Sequence, residues 1–587
     1  MPGSTQTSGV TVGGGQVLHR ARQEMEPLPF HESGGEEGAL FGRGQRWCEH
    51  GGATLGAEAI DAVTHLVGRR RSARCRAQQG DGGIASPRAD PEVVGGGDSA
   101  VGSSHGVGAS LGRRADRVPP GSLRGVIPDR LRPVLERAAP LAERFADAGH
   151  RLYLVGGVVR DLLLGRDLSD GRDIDMTTDA PPAVTKRIVS EWADAVWTQG
   201  ERFGTIGCRA DGWTYEITTH RAEAYDPESR KPEVQFSDSI EADLSRRDFT
   251  VNAMALSLPE PVLIDPYDGA ADLAAARLRT PLSPTESFAD DPLRMLRAAR
   301  FIAGYGLAPD RELVDAVRQM ADRLEIVSAE RVRDEFDKLM VVDDPTAGLW
   351  FLVDTGLIDQ FLPEFSRMRL EQDPIHRHKD VLTHTIAVVA KTSTDRIVRL
   401  SALFHDVGKP RTRAIGDGGV SFHHHEVVGA RMTRDRMKAM KYSADDVESV
   451  TQLVFLHLRF HTYKMGWTDA AVRRFVRDAG DQLPQLIELT RCDCTTRNER
   501  KARELSDRMD ELEVRIAELQ AREELDAIRP DLDGRAVMEH LGLAPGREVG
   551  EALEFLLELR LEEGPLGVDE ATRRLDAWWA ERGTSRA

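Results

Sequence analysis

Cysteine is scarce in this chain: five in 587 residues, Cys48, Cys75, Cys208, Cys492 and Cys494. An odd, scattered set excludes a disulfide framework and predicts a reducing compartment, the cytoplasm. Cys492 and Cys494 lack a second pair, so no zinc site is expected there. Long apolar runs are also missing, which predicts no membrane span. The N-terminus carries no apolar signal core, so secretion is not expected. Positive charge is not in excess either: the net charge is −18. That argues against whole-surface attraction to nucleic acid, while leaving room for a local basic groove.

A hydrophobic fraction of 40% and a charged fraction of 30% fit a soluble protein. The length implies several domains. Residues 1–125 are rich in Gly and Ser and have little apolar periodicity. Such a segment buries too little surface to offset chain entropy, so it is expected to be disordered. Residues 54–67 are predicted as one isolated helix within it, followed by the basic Arg69, Arg70 and Arg71. Order is expected from about Val126. Pro128 to Ala148 reads as an amphipathic helix, with Pro140 a candidate kink. Residues 153–265 mix short strands and helices, and from Ser287 onward the pattern is nearly all helical. Leu505, Met509, Leu512, Ile516 and Leu519 form a heptad seam suited to an intramolecular helix pair.

The richest stretch is 154–176. A short apolar strand (Tyr153, Leu154, Val155) runs into Gly156 and Gly157, and a helix signal follows with Arg160 and Asp161. Paired glycines let a backbone approach phosphate closely, and a helix start favours anions. After a second loop come Asp173 and Asp175, which as strand residues i and i+2 share one face and can share a divalent metal. A phosphate cradle beside metal carboxylates points to phosphoryl or nucleotidyl transfer. Four more clusters follow: Gly200 to Gly207; a β-rich run from Trp213 to Arg221 containing Glu216; Asp243 to Met254 with Arg246, Arg247, Asp248 and Asn252; and Phe288 to Phe301 with Asp290, Asp291, Arg294, Arg297 and Arg300.

In this order the motifs resemble the class II CCA-adding tRNA nucleotidyltransferases, of the DNA polymerase β nucleotidyltransferase superfamily, from about Val126 to Ala587. The resemblance implies an α+β nucleotidyltransferase head, a small mixed sheet with helices. An all-α neck and body with an HD domain would follow, behind a disordered N-terminal extension. It divides the chain into residues 1–125, the head 126–275, a neck 276–365 with the base-reading motif and a tRNA-binding region, an HD domain 366–500 and a helical tail 501–587. It implies Asp173 and Asp175 as catalytic Mg²⁺ ligands, Gly156, Gly157, Arg160 and Asp161 as the phosphate-side loop, and Arg246, Arg247, Asp248 and Asn252 as the ribose-recognising motif. Asp291 and Arg294 would read the base, on the same nucleotide-binding stretch as Arg297 and Arg300; Asp290 stands where the family has Glu. Glu330 to Glu335 resembles a supportive helical motif. Glu216 is the candidate third carboxylate, or an exposed strand residue facing away. The substrates implied are tRNA, CTP and ATP, with pyrophosphate released.

Base choice has a physical rationale. Cytosine and adenine both place an exocyclic amine beside a bare ring nitrogen. A carboxylate accepting from the amine and a guanidinium donating to the nitrogen accept both and reject uracil and guanine. At i and i+3, Asp291 and Arg294 are expected on one helix face; the bland alternative is an ion pair between them.

A second constellation holds His384, His405, Asp406, His425, His457 and Asp493, with His423 and His424 as rivals to His425. Adjacent His and Asp can serve one cation, with further ligands from other helices. The pattern resembles the HD phosphohydrolases and implies a divalent metal of unspecified identity, acting on phosphomonoesters or cyclic phosphates, or a degenerate domain kept for packing. Arg473, Arg474 and Arg477 are candidate RNA contacts or a solvated basic face. Rival readings are a poly(A) polymerase, a CC-only or A-only adding enzyme, and an HD hydrolase whose head only binds RNA. Oligomeric state is not legible.

Overall fold

The computed structural model describes residues 132–166, 173–222, 235–370, 380–416, 419–462, 467–494, 498–523, 525 and 528–586. The expected disorder of 1–125, the helix at 54–67 and its basic patch lie outside the described residues.

The first described helix, Arg132–Asp147, buries Val134, Ala138, Leu141, Ala142 and Phe145. Pro140 sits on its solvent side and does not split the helix, which runs through it unbroken. The helix leads to a seven-stranded sheet: β1 (Leu152–Val155), β2 (Ile174–Thr178), β3 (Ala195–Trp197), β4 (Thr205–Ala210), β5 (Trp213–Thr219), β8 (Ala255–Leu258) and β9 (Leu263–Ile264), in the order β3-β4-β5-β2-β1-β8-β9. A separate small ribbon, β6 (Arg221–Ala222) with β7 (Gln235–Phe236), stands between β5 and β8 in the chain. Only the β2–β5 pair of the large sheet is parallel. All four residues of β1 are buried, as a strand between two neighbours and under helices should be. β5 instead alternates, with Trp213, Tyr215, Ile217 and Thr219 buried and Glu216 exposed. Its apolar side joins the head core around Phe145, Ile174, Ile206 and Ile217. The polar side is left for chemistry.

From Pro284 to Arg522 the described chain is mostly helical, with one apolar core running from Phe249 to Leu525. Ser283 opens this part with a capping box: its Oγ accepts from the Glu286 N–H while the Glu286 carboxylate accepts from Ser283. The helix Glu499–Arg522 buries Met509, Leu512, Ile516 and Leu519 and packs on Asp469–Ala479. The heptad seam therefore serves an intramolecular pair, as its short length suggests. The last three helices, Gly534–Leu541, Arg547–Glu563 and Val568–Arg586, form a small core of their own. No helix among the described residues is long and apolar enough to cross a membrane.

Candidate active site and candidate metal centre

In the parallel pairing of β2 with β5, Asp175 stands directly opposite Glu216. The alternation of β5 puts Glu216 on the exposed side. Asp173, Asp175 and Glu216 are close enough to repel one another. Burial, then the Asp175 and Asp173 charges, push Glu216 above the usual carboxylate range. Burial and Asp173 also raise Asp175, against the pull of Arg247, Arg297 and Arg160. A divalent cation placed among the three carboxylates would relieve this repulsion.

Arg247 supplies the cationic side. A Cβ added to Gly156, at φ +68°, would lie 2.9 Å from Arg247 Nη1 and 3.9 Å from Asp175 Oδ2. Only glycine suits this position, both for its backbone angle and for the guanidinium beside it. Gly157, Asp161, Asp173 and Asp175 line a cavity of about 120 Å³ together with the apolar Val134, Val158, Ile174 and Trp213.

Arg160 lies against the glycine turn, its Nη2 3.4 Å from where a Cβ on Gly157 would stand, but its guanidinium is taken up by protein partners. Its guanidinium is buried, paired with Asp161 (3.0 Å), donating to Asn252 Oδ1 (2.6 Å) and to the Tyr305 hydroxyl, and lying 4.1 Å from the Tyr305 ring centre. Asn252 in turn donates to Asp248 (2.9 Å). Asp248 receives both Nε and Nη2 of Arg297, at 2.8 and 2.6 Å, plus the Phe249 N–H. Burial would raise the Asp248 carboxyl, but Arg297 and these donors outweigh it and hold it at about 2. Arg300 pairs with the buried Glu335. Buried Arg160, Asn252 and Asp248 and the partly exposed Arg297 thus form one network joining the head to the helix Leu293–Tyr305.

The expected helical i, i+3 placement of Asp291 and Arg294 needs correction. Asp291 has extended backbone and Pro292 begins the next turn, so Asp291 precedes the helix Leu293–Tyr305. Its Oδ1 accepts from the Leu293 N–H at 3.1 Å and its Oδ2 from Arg331 at 2.8 Å. Arg294 pairs instead with Asp290 (2.7 Å) and donates to Ser287 (3.0 Å to Oγ) and to the Arg246 carbonyl (2.5 Å). The shortened acidic residue at 290 therefore anchors Arg294, and also lies 3.6 Å from Arg246. The Arg294 N–H donates to the Asp291 carbonyl at 3.0 Å, but the two side chains are held by separate partners and not by each other.

The six residues of the second constellation do converge, from the ends of several helices. His384 lies in Val381–Lys391, His405 and Asp406 follow Arg396–Phe404, His425 opens His425–Ala439, His457 follows Ala444–Leu456 and Asp493 ends Leu483–Asp493. His384, His405 and Asp493 form one metal-competent group; Asp406, His425 and His457 form another, with the ligand atoms of each group within 4.8 Å. His405, His425 and His457 each place Nδ1 on a backbone carbonyl, at 2.8, 2.8 and 2.6 Å. That fixes the tautomer and turns Nε2 toward the centre. The buried Nε2 atoms of His425 and His457 have no hydrogen-bond partner among the described residues, an arrangement that fits metal ligation. Burial lowers His405, but Asp406 and Asp493 outweigh it and push it up to about 10. Burial and the neighbouring His405 press His457 down to about 3. Gly408 explains the convergence: a Cβ there would fall 2.2 Å from the His425 carbonyl oxygen. His423 and His424 are exposed, so His425 is the residue facing the cluster.

Two sequence expectations fare differently. Arg473 is buried, bound to Glu523 (2.7 Å) and to the carbonyls of Leu561 and Glu562, with Arg560 on the same carboxylate. It ties the tail to the body and does not offer itself to RNA; Arg474 and Arg477 pair with Glu558 and Asp478. Cys492 and Cys494 are free thiols.

A mixed sheet bearing clustered carboxylates, joined to a helical body with a His/Asp centre, defines a nucleotidyltransferase head on an HD body. Comparison with known proteins agrees. Residues 152–279 match the poly A polymerase head domain, 306–368 the probable RNA- and SrmB-binding site of polymerase A, and 381–519 the HD domain. The chain is 34% identical over 442 residues to an A-adding tRNA nucleotidyltransferase of Deinococcus radiodurans, covering 73% of this chain and 95% of that protein. It is 30% identical over 445 residues to a CCA-adding enzyme of Streptococcus pyogenes, covering 74% and 95%. The fold is similar to that of a Bacillus stearothermophilus CCA-adding enzyme solved with CTP, at TM-score 0.58 and 23% identity over 78% of this chain and 99% of that one. The chain belongs to the tRNA nucleotidyltransferase family.

Proposed function

We propose that this protein adds CMP, CMP and AMP in turn to the 3′ end of tRNA, from CTP and ATP and without a nucleic-acid template. The observation that carries this reading is the face shared by Asp173, Asp175 and Glu216, with Arg247 and Gly156 beside it. In the reaction, the RNA 3′ oxygen bonds to the α-phosphorus, the α–β bridging bond breaks, and pyrophosphate leaves. Asp173, Asp175 and Glu216 would hold Mg²⁺, which supplies Lewis acidity to the hydroxyl and the leaving group. Arg247 and the Gly156–Gly157 turn favour the triphosphate. Asp248 and Asn252, fixed by Arg297 and Arg160, shape the ribose side. We assign residues 126–275 to the head, 276–365 to the neck, 366–500 to the HD domain and 501–587 to the tail, and the whole to the cytoplasm.

For base choice, the Asp291 carboxylate would accept the exocyclic amine of C or A. Both terminal nitrogens of Arg294 are engaged, so its donation to the ring nitrogen falls to Nε or requires one bond to open. Asp291→Ala is expected to lower discrimination of CTP over UTP roughly 10²-fold or more, because a site built to hydrogen-bond rejects strongly. Competing labelled CTP and UTP on one transcript measures this, and unchanged selectivity would remove Asp291 from base reading.

Three transcripts test the function: tRNA ending before CCA, after C, and after CC, each with CTP, ATP, UTP or GTP, resolved to single nucleotides. Addition that stops at CCA supports the proposal. Addition of A alone to the CC-ending transcript would make this an A-adding enzyme, and long A tracts a poly(A) polymerase.

A second activity is favoured by the orphaned Nε2 atoms at the HD centre. It is hydrolysis of phosphomonoesters or 2′,3′-cyclic phosphates, with His384, His405, Asp406, His425, His457 and Asp493 holding a divalent metal. His405→Ala with Asp406→Ala is expected to abolish phosphatase activity and leave CCA addition near wild type. Phosphatase activity that survives the double variant would exclude this centre as its source.

A further inference from the structure

One transverse row of the head sheet crosses four strands. Asp175 pairs with Glu216, Glu216 with Gly207, and Gly207 with Trp197. Residues in register share a face, so all four positions lie on the carboxylate side. Gly207 leaves a gap in this row and the indole of Trp197 fills it: a Cβ on Gly207 would fall 1.9 Å from Trp197 Nε1 and 2.2 Å from Cε2. The ring thus reaches sideways from the edge strand β3, over β4, toward Glu216. A tryptophan needing only burial would turn inward. Its neighbour Val196 does so, packing on the head core, and Trp192 lies edge-on to Tyr215 at 5.2 Å. Trp197 keeps to the polar face and remains partly exposed. Beside it, the hydroxyls of Thr205 and Thr218 bond at 3.0 Å, and Arg221 reaches Thr205 at 3.4 Å.

The two sides of Asp175 differ. Toward β1 lie Gly156 and Arg247, the cationic side suited to phosphates. Toward β5, β4 and β3 lie Glu216, the glycine gap and the indole. In phosphoryl transfer the attacking and leaving oxygens stand roughly in line. If the triphosphate lies on the Arg247 side, the attacking hydroxyl comes from the Trp197 side. At about 5 Å per strand, the Trp197 backbone is about 10 Å from that of Glu216, a gap one nucleotide spans.

We propose that the Trp197 indole is the stacking platform for the 3′-terminal base of the RNA primer, setting its 3′ hydroxyl beside Asp175 and Glu216. This rests on the transferase reading above. The terminal base changes at each addition, so the enzyme needs a contact indifferent to base identity. Aromatic stacking has that property, because every base has a π-face.

The test uses the full chain with Trp197→Ala and Trp197→Phe. KM is measured separately for the three transcripts and for CTP and ATP. Thermal midpoints are recorded, and tryptophan fluorescence is followed on addition of RNA. Trp197→Ala should raise KM for every transcript roughly tenfold or more, leave KM for the nucleotides unchanged and keep the thermal midpoint. Trp197→Phe should recover most of the loss, and the RNA-dependent quench should shrink by the Trp197 share. A rise in nucleotide KM instead, an unchanged transcript KM, or equal defects in both variants with a lowered midpoint would overturn the platform. If the wild-type protein extended no transcript, the transferase reading would fail, and the quench by RNA would still decide whether Trp197 stacks on it.

Discussion

Asp173→Asn combined with Asp175→Asn is expected to lower nucleotide incorporation by roughly 10³-fold or more, the scale on which charge-stabilising groups act at a reacting centre. The fold should not suffer. Asp175 and Glu216 are both raised by burial and by the neighbouring carboxylates, so their charged forms are disfavoured in the folded state. For an acid whose folded pKa lies above its unfolded value, stability falls as pH rises through that range. Neutral asparagines relieve this repulsion. At pH 7 the double variant should therefore melt at or above the wild-type midpoint while incorporating almost nothing. A stable variant with substantial incorporation would remove these aspartates from the chemistry. An inactive variant that melts well below wild type would mean that the pair supports the fold.

Arg297→Ala is expected to cost about 3–5 kcal/mol of folding stability. The loss comes less from the missing attraction than from what remains: Asp248 is buried and would keep its charge without its two-pronged partner. Glu335, also buried and 3.9 Å from Arg297, would be left to Arg300 and Lys338. The same pair gives an acid signature. Asp248 lies at about 2 against a usual value of 3.8, so its contribution is complete above about pH 4 and disappears as pH falls toward 2. That contribution is about 2 kcal/mol. Denaturant titrations at pH 7 and across the acid range measure both. Arg297→Ala should flatten the acid limb as well as lower the plateau. A loss under 1 kcal/mol would show that solvent reaches the pair and replaces the arginine.

The motifs that sequence could expose are those written in local spacing. Gly156 and Gly157 after an apolar strand, Asp173 and Asp175 two apart, and adjacent His405 and Asp406 carry their geometry along the backbone, because strand and helix periods are fixed. The remaining HD residues were named as a set through the resemblance to the HD pattern, and the structure brings them together from several helices. Glu216 was ambiguous until the strand alternation and its pairing with Asp175 placed it. His425 could not be told from its two neighbours until the helix start, pressed onto Gly408, buried one of the three and exposed the others.

Partnerships across long stretches of chain were not legible. Arg160 reaches Tyr305, Asp291 reaches Arg331, Arg473 reaches Glu523, and Trp197 settles over Gly207. In each, the partner that holds the side chain comes from another segment of the chain. Sequence by itself determined the order of the elements, because that follows from periodicity along the backbone, and its motifs in their order carried the resemblance to the family. Tertiary structure alone decided which arginines are locked onto buried carboxylates and which strand face carries Asp175 and Glu216 together. A guanidinium or carboxylate takes its role from its degree of burial and the charge beside it, and both are set by segments far away in the chain.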